Sequence, residues 1–471
     1  MVEMLSLLYL FATNRPALVD VTPERPTAEF VAPANATNGF TIAFRAALRK
    51  PEKPQRLVDV PGVAEVTFRL RDKADADSRL NYCSFRLPDG SLPVMEATVF
   101  LTSAEHPDWK QMTVGFPLAC LKQPYGTHDF VLNFTGVRWV LYADGELMDL
   151  DFPFGYPDWK AGAATLKIDS SVVRGARFFA PALQAEAKAR KPQELKEVQY
   201  WTPHGFNTWV GDVATCYFKG RYHVFYLLDR RHHSSKFGQG SHYFEHLSTA
   251  DFKTWTEHEA AAPIDEQREC IGTGTPFAFD GKLCLAYGLH TERIYPDDKT
   301  TRPAQSEYLA AHGCTGTFTR EAPGAPVGST YAVSADGVAK FKKTWAFFHT
   351  CRNPSVYIDP AGKLRMLANS GSKGMWASDS PDGGWRCTNA DFPPGGDCTF
   401  FFRWGRYDYI VGGFVDLWSK PADAPDSAYD NVVHKGLDCY DGLNVPCVTE
   451  IGKGRFVLAG WTMDYGWGGH L

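Results

Sequence analysis

Apolar and polar positions alternate with a period of two along most of this chain, in short runs broken by Gly, Pro and Asp. Residues 63–71 (VAEVTFRLR) set Ala64, Val66, Phe68 and Leu70 on one side and Glu65, Thr67, Arg69 and Arg71 on the other. That spacing predicts a half-buried strand. Residues 80–87 and 95–102 behave alike. In residues 128–154, positions 138–143 read as a strand, Asp144-Gly145 as a tight turn and 146–151 as the returning strand. The apolar run 4–12 reads as a first strand. It is too short to span a bilayer, and its Met-Val-Glu start lacks the positive charge of a leader. Residues 183–200 change character. They are charged and rich in Ala, Glu and Lys, which suits a short helix and linker between two domains.

From residue 200 one unit recurs: a strand, a tight turn containing Gly, and a second strand. The copies are CYFKGRYHVFY (216–226), FAFDGKLCLAY (277–287), VYIDPAGKLRMLA (356–368), FFRWGRYDYIVG (401–412) and TEIGKGRFVLAG (449–460). A second motif, a strand running into a polar turn, lies between some copies at 247–255, 332–343 and 376–385. Together they make about one four-stranded sheet per unit. Such a sheet has two open faces and is unstable alone. Five sheets packed face to face around an axis bury those faces. The fold class is therefore all-β: a β-sandwich over 1–182, a helical linker over 183–199 and a five-bladed β-propeller over 200–471. The strand–turn–strand of 128–154 is similar to that of concanavalin/laminin-G-type sandwiches.

Composition agrees and narrows the partners. The chain has 471 residues, 44% of them hydrophobic, enough for two cores. Net charge is −5 with no long basic run, which argues against nucleic acid and membrane surfaces. Eleven scattered cysteines without a Cys-x-x-Cys pair suggest buried thiols in a cytoplasmic protein rather than disulfides or zinc. His242 and His246, four apart in strand-like sequence without a third ligand, read as structural. No metal or organic cofactor is implied.

In a propeller the polar residues just ahead of each inner strand converge at one end of the central tunnel. Those positions hold Asp212, the segment from Glu269 to Thr275 with Thr273 in it, Arg352-Asn353, Asp397-Cys398, and Asp438 with Asp441. A single acid there is ordinary turn chemistry. Acids or amides in every unit point to glycoside hydrolysis, where one carboxylate attacks the anomeric carbon or activates water and a second group protonates the leaving oxygen. Trp209, three residues before Asp212, is the candidate subsite wall. The loop holding Arg231 and His232 has two readings: a substrate-facing rim or a solvated turn. The other tryptophans, Trp461 among them, read mostly as packing between sheets.

WVGDVATCYFKGRYHVFY followed by STADFKTW resembles the opening of glycoside hydrolase family 32, the invertase, levanase and inulinase family. TGTPFAFDGK, RNPSVYIDPAGK, GGDCTFFFRWGRYDYIVGG and DGLNVP…GRFVLAGWTMD resemble its later segments in order, over roughly residues 205–465. RNPSVYIDPAGK is also similar to a segment of the related family 43. The resemblance implies Asp212 as nucleophile, Arg352 as a clamp on ring hydroxyls, Asn353 at the place of a transition-state-stabilising Asp, and Asp397 at the place of the acid/base Glu. Two positions depart from the pattern. Asn353 carries no charge, and Asp397 is one methylene shorter than Glu, so Glu269 is the alternative acid. The expected function is cleavage of a furanosidic or related bond in an oligo- or polysaccharide. The alternative is a sugar-binding propeller without catalysis; a protein-interaction propeller would instead show an apolar rim and no convergent acids.

Overall fold

The computed structural model describes residues 15–32, 36–71, 85–158, 162–184, 193–194, 201, 203, 206, 208–230, 234–240, 242–290, 308, 310–313, 328–346, 352–369, 374–394, 398–413, 416–433, 443–463 and 469–471. These residues are nearly all in strands, turns and connections. Among them no helix is long and apolar enough to cross a membrane.

Two six-stranded antiparallel sheets form the first half. One runs Val19–Val21, Val173–Phe179, Phe40–Leu48, Gly126–Phe134, Trp139–Ala143, Glu146–Asp151 in spatial order. The other runs Thr27–Ala32, Gly162–Ile168, Gln55–Val60, Ala64–Leu70, Pro93–Phe100, Gln111–Pro117. Their inward side chains share one core, with Phe40, Phe44, Phe68, Phe116, Phe130 and Trp139 fully buried. The Trp139 indole N–H donates across the core to Ala97 O at 2.9 Å. The expected hairpin at 138–151 is present. Asp144 and Gly145 take φ of 48° and 88°, the left-handed pair a two-residue turn requires.

The strand expected over 80–87 is not found at 85–87, and its other residues lie outside the described set, as does the run 4–12. Of the helix and linker expected over 183–199, residues 185–192 and 195–199 lie outside the described set; Gln193–Glu194 form a short strand paired with Trp255 and Thr254.

All five repeated hairpins are observed. The first strands are Thr208–Phe218, Pro276–Phe279, Arg352–Ile358, Phe400–Trp404 and Leu443–Glu450. Each pairs with the strand that follows it. The second, third and fourth hairpins grow into four-stranded sheets, as expected. The first and fifth are joined into one eight-stranded sheet, because Gly469–His470 pairs with both Phe456–Met463 and Val210. Adjacent first strands are neighbours in sequence order, and the fifth lies beside the first. Hydroxyls stitch these neighbours together. Thr215 Oγ1 meets Thr449 Oγ1 at 2.7 Å, Thr275 bridges to both N and O of Val356 at 2.7 Å, and Ser355 Oγ donates to Thr399 O at 2.6 Å.

The two halves share buried surface. Val140, Leu150 and Phe152 of the first half pack in the same core as Val210, Leu228 and Tyr243. Arg230 and Asp149, both fully buried, pair at 3.1 Å across the junction.

Candidate active site

The first strands carry a shared irregularity that their sequences do not announce. In the first, Val210 pairs with Leu228 and Val213 with Tyr226, so Gly211 and Asp212 together face Leu227. In the third, Asn353 and Pro354 face Ala368 in the same way, and in the fifth Val445 and Pro446 face Gly460. These are β-bulges, which leave a residue out of the ladder and re-aim its side chain. Pro is tolerated at such a place because no ladder N–H is needed there. Asn353 sits at φ 53° and Val445 at φ 44°, left-handed conformations that cost a side-chain-bearing residue energy.

The bulge turns Asp212 inward, to 7% exposure. Three donors from other sheets reach its carboxylate. Thr273, just ahead of the second sheet, donates its hydroxyl to Oδ2. Trp461, in the fifth sheet, donates its indole N–H to Oδ1 at 3.2 Å. Cys398, just ahead of the fourth sheet, places its thiol 3.5 Å from Oδ2. Asn353 of the third sheet donates its side-chain amide to the same sulfur at 3.5 Å. Each of the five repeated units thus supplies one side chain to a single cluster. Donors of this kind favour the ionised carboxylate.

The candidates from sequence fare differently. Asp212, Thr273 and Asn353 are brought together. Trp209 is half-buried, three residues before Asp212, and pairs in register with Asp229. Arg352 opens the third first strand opposite Asn369, with its side chain outside the described set. Asp397, Asp441, Arg231 and His232 also lie outside the described residues. The two residues before Arg231 turn inward: Asp229 faces His242 at 3.3 Å and Arg230 faces Asp149.

Glu269 is placed otherwise than an acid catalyst requires. It has no exposed surface. Lys343 Nζ lies 2.6 and 2.8 Å from its two oxygens, and the backbone N–H groups of Asp265 and Glu266 donate to it at 2.6 and 3.1 Å. Burial pushes its pKa up and Lys343 pulls it back. This carboxylate closes a loop and pairs with a buried lysine, and with no exposed surface it has no opening toward a substrate.

Two contributors escaped the sequence reading. Trp461 was grouped with packing aromatics, although the Gly460-Trp461 ending of the fifth unit was visible. His290, which ends the second strand of the second sheet, is buried over two glycines. A Cβ on Gly272 would sit 2.1 Å from its Nε2, and one on Gly288 would sit 2.8 Å from it and 3.2 Å from Asn353 N. The imidazole therefore occupies a slot between Gly272, next to Thr273, and Gly288. A glycine pair facing a histidine was the available signal.

Three more histidines form a stack in the first sheet. His223 Nδ1 and His246 Nε2 are 3.0 Å apart, and His246 stacks on His258 at 4.3 Å. Burial, then the neighbouring His258, pushes His223 down to about 4; burial, then Arg221, does the same to His258, and His246 falls further. Among the described residues no group of three or more His, Cys, Asp or Glu could hold a metal ion.

Residues 207–377 match the family model described as the glycosyl hydrolases family 32 N-terminal domain. That segment is similar to the family 32 N-terminal domain, and it spans the first three of the motif segments that resemble the family. No curated protein matches the chain. Solved structures similar to it include a family 32 β-fructofuranosidase of Bombyx mori, at 16% identity and TM-score 0.41, covering 59% of this chain and 61% of that one. A family 43 β-xylosidase/α-arabinofuranosidase from a compost microbial metagenome is similar at 12% identity and TM-score 0.38, covering 57% and 88%. A family 117 glycoside hydrolase of Zobellia galactanivorans is similar at 13% identity and TM-score 0.36, covering 55% and 78%.

Proposed function

We propose that the chain is a sandwich (1–182), a linker (183–199) and a five-bladed β-propeller (200–471), and that the propeller cleaves a furanosidic, fructoside-type or related glycosidic bond in an oligo- or polysaccharide. The observation that carries this reading is the convergence of Thr273, Cys398 and Trp461, from three other sheets, on the buried carboxylate of Asp212. A carboxylate fixed at both oxygens is oriented, as a nucleophile or base must be.

In the retaining route Asp212 attacks the anomeric carbon as the bond to the leaving oxygen breaks. Asp397 gives that oxygen a proton. Water, losing its proton to Asp397, then displaces Asp212. Arg352 and Asn353 hold ring hydroxyls, with Trp209 as a subsite wall. This route places the two carboxyls ~5–5.5 Å apart; roughly 6.5–9.5 Å would mean inversion. Glu269, bound to Lys343, takes no part. The neutral Asn353 favours a second reading, a sugar-binding propeller without turnover.

Fructan, arabinan and xylo-oligosaccharide panels decide between them. Hydrolysis that vanishes in Asp212→Asn supports the enzyme. Binding without turnover in both proteins supports the second reading, and neither binding nor turnover sinks both.

A further inference from the structure

The two halves meet at one end of the sheets. First strands begin, and second strands finish, at the end where Asp212 lies. The partners of the first half are all there. Arg230 closes the second strand of the first sheet and pairs with Asp149. Lys236, just beyond, gives its backbone N–H to Asp151 at 2.8 Å. Ile264 and Gln267 lie on the connection into the second sheet. Ile264 O accepts from Arg138 at 3.1 Å, and the Gln267 side chain bonds both N and O of Gly155 at 2.8 and 3.0 Å. That connection continues through Glu269 to Thr273, the donor to Asp212.

A cavity of about 360 Å³ opens at this junction, lined by residues 102–105, 137 and 154–156 of the first half and 265–268 of the second. Its size falls in the range of ligand sites, ~300–1,000 Å³. Its charged residues already have partners: Arg268 with Glu105, Asp265 with Lys343 at 2.9 Å, and Glu266 with His312 at 3.1 Å. Its one lining cation, Arg268, is already engaged, so a sulfated or uronic chain gains no ion pair there. What remains for a ligand is hydroxyl and carboxylate hydrogen bonding, with Tyr156 as the one half-buried ring on the wall. Neutral sugars are recognised in that way, by hydroxyl bonding and a ring to stack on.

We propose that this junction cleft is an accessory subsite for a neutral oligosaccharide, shared by both halves, so that the substrate is a chain longer than a disaccharide. The proposal rests on the glycoside hydrolase reading above and adds the class and length of the substrate.

Ala104 is an exposed wall residue, and Ala104→Trp fills the cleft without removing a bridge between the halves. Ala104→Gln is the milder companion should Trp disturb folding, judged by the melting curve. Calorimetric titration of Asp212→Asn protein, with and without these changes, uses fructo-, arabino- and xylo-oligosaccharides from disaccharide to hexasaccharide and polygalacturonate as the charged control. Affinity is expected to rise with length, and Ala104→Trp to return long chains to disaccharide affinity, a loss of about tenfold. Ala104→Gln is expected to give a smaller loss in the same direction. Polygalacturonate is expected not to bind. Length-independent affinity, equal affinity in the filled variant, or preference for polygalacturonate overturns the proposal while hydrolysis by the unaltered protein still stands. Absence of all sugar binding removes the hydrolase reading and this one together.

Discussion

Replacing Lys343 with Met tests whether Glu269 is a structural anion or the missing acid. Lys343 and Glu269 are 8% and 0% exposed, and two short charge-assisted contacts join them. Without the lysine, Glu269 keeps only the backbone donors of Asp265 and Glu266. Removing one partner of a buried pair costs about 3–5 kcal/mol. The carboxyl can escape by taking a proton. Holding it neutral against an unfolded value near 4.3 costs about 1.36 kcal/mol per pH unit, or ~3.7 kcal/mol at pH 7 and ~1 at pH 5. The folded-state pKa is raised, so the folded protein binds the extra proton. Lys343→Met therefore loses stability as pH rises through that folded value and regains it below the unfolded one. Urea unfolding midpoints at pH 5 and 7 read the difference. Glu269→Gln costs less, because Lys343 keeps Asp265 at 2.9 Å, and the double variant recovers most of the loss. A pH-independent loss below about 0.5 kcal/mol in Lys343→Met refutes the buried-pair account. Glu269→Gln that folds normally but loses about a thousandfold in kcat refutes the structural assignment and makes Glu269 the acid.

Thr273→Val and Trp461→Phe each remove a donor from Asp212. Each is expected to lower kcat about tenfold or more and to move the acid limb of the pH–rate profile upward, since the ionised carboxylate loses support; an unchanged profile contradicts the site. Gly272→Ala displaces the His290 ring, whose Nε2 would lie 2.1 Å from the new Cβ. It should match His290→Gln in activity on the same substrate, and wild-type rates in both would show the ring to be idle. In Gly274→Ala the new Cβ meets Ala286 O at 1.8 Å, and a destabilisation of about 1–3 kcal/mol is expected by thermal melting. The histidine stack makes the protein acid-sensitive. His223, moved from ~6.5 in the unfolded chain to about 4, contributes about 3 kcal/mol that is present above pH 6.5 and lost as pH falls through 4. Unfolding midpoints of His223→Gln should show a flatter loss between pH 6.5 and 4, and an unchanged slope would refute this.

Local signals carried far here. Asp144-Gly145, Lys219-Gly220 and Asp280-Gly281 each place two consecutive residues at positive φ, and that requirement is written in the residue types themselves. Bulges are written less plainly. Asn353-Pro354 and Val445-Pro446 share a Pro that a regular ladder would not admit, but Gly211-Asp212 has the same register shift with no such mark. The partner of Glu269 was hidden for a related reason. Lys343 lies 74 positions away in a two-residue strand, and nothing near Glu269 distinguishes a neutralised anion from a free one.

The distances along the chain between cooperating residues decide what else belongs to function. Asp212 and its indole donor are 249 positions apart, so the Trp461 contact exists only when the fifth unit lies against the first. That closure is made by Val210 opposite Gly469, by reciprocal backbone bonds between Trp201 and Leu471 at 2.7 and 3.0 Å, and by Thr215 with Thr449 and Cys447 between the facing first strands. Thr215 is buried and three residues from Asp212 on the same strand. A slip at that seam would carry the Asp212 bulge away from Trp461 before it disturbed either hairpin. Residues of the seam therefore hold the strand that carries Asp212 against the fifth unit, and so set the geometry of the carboxylate without touching it.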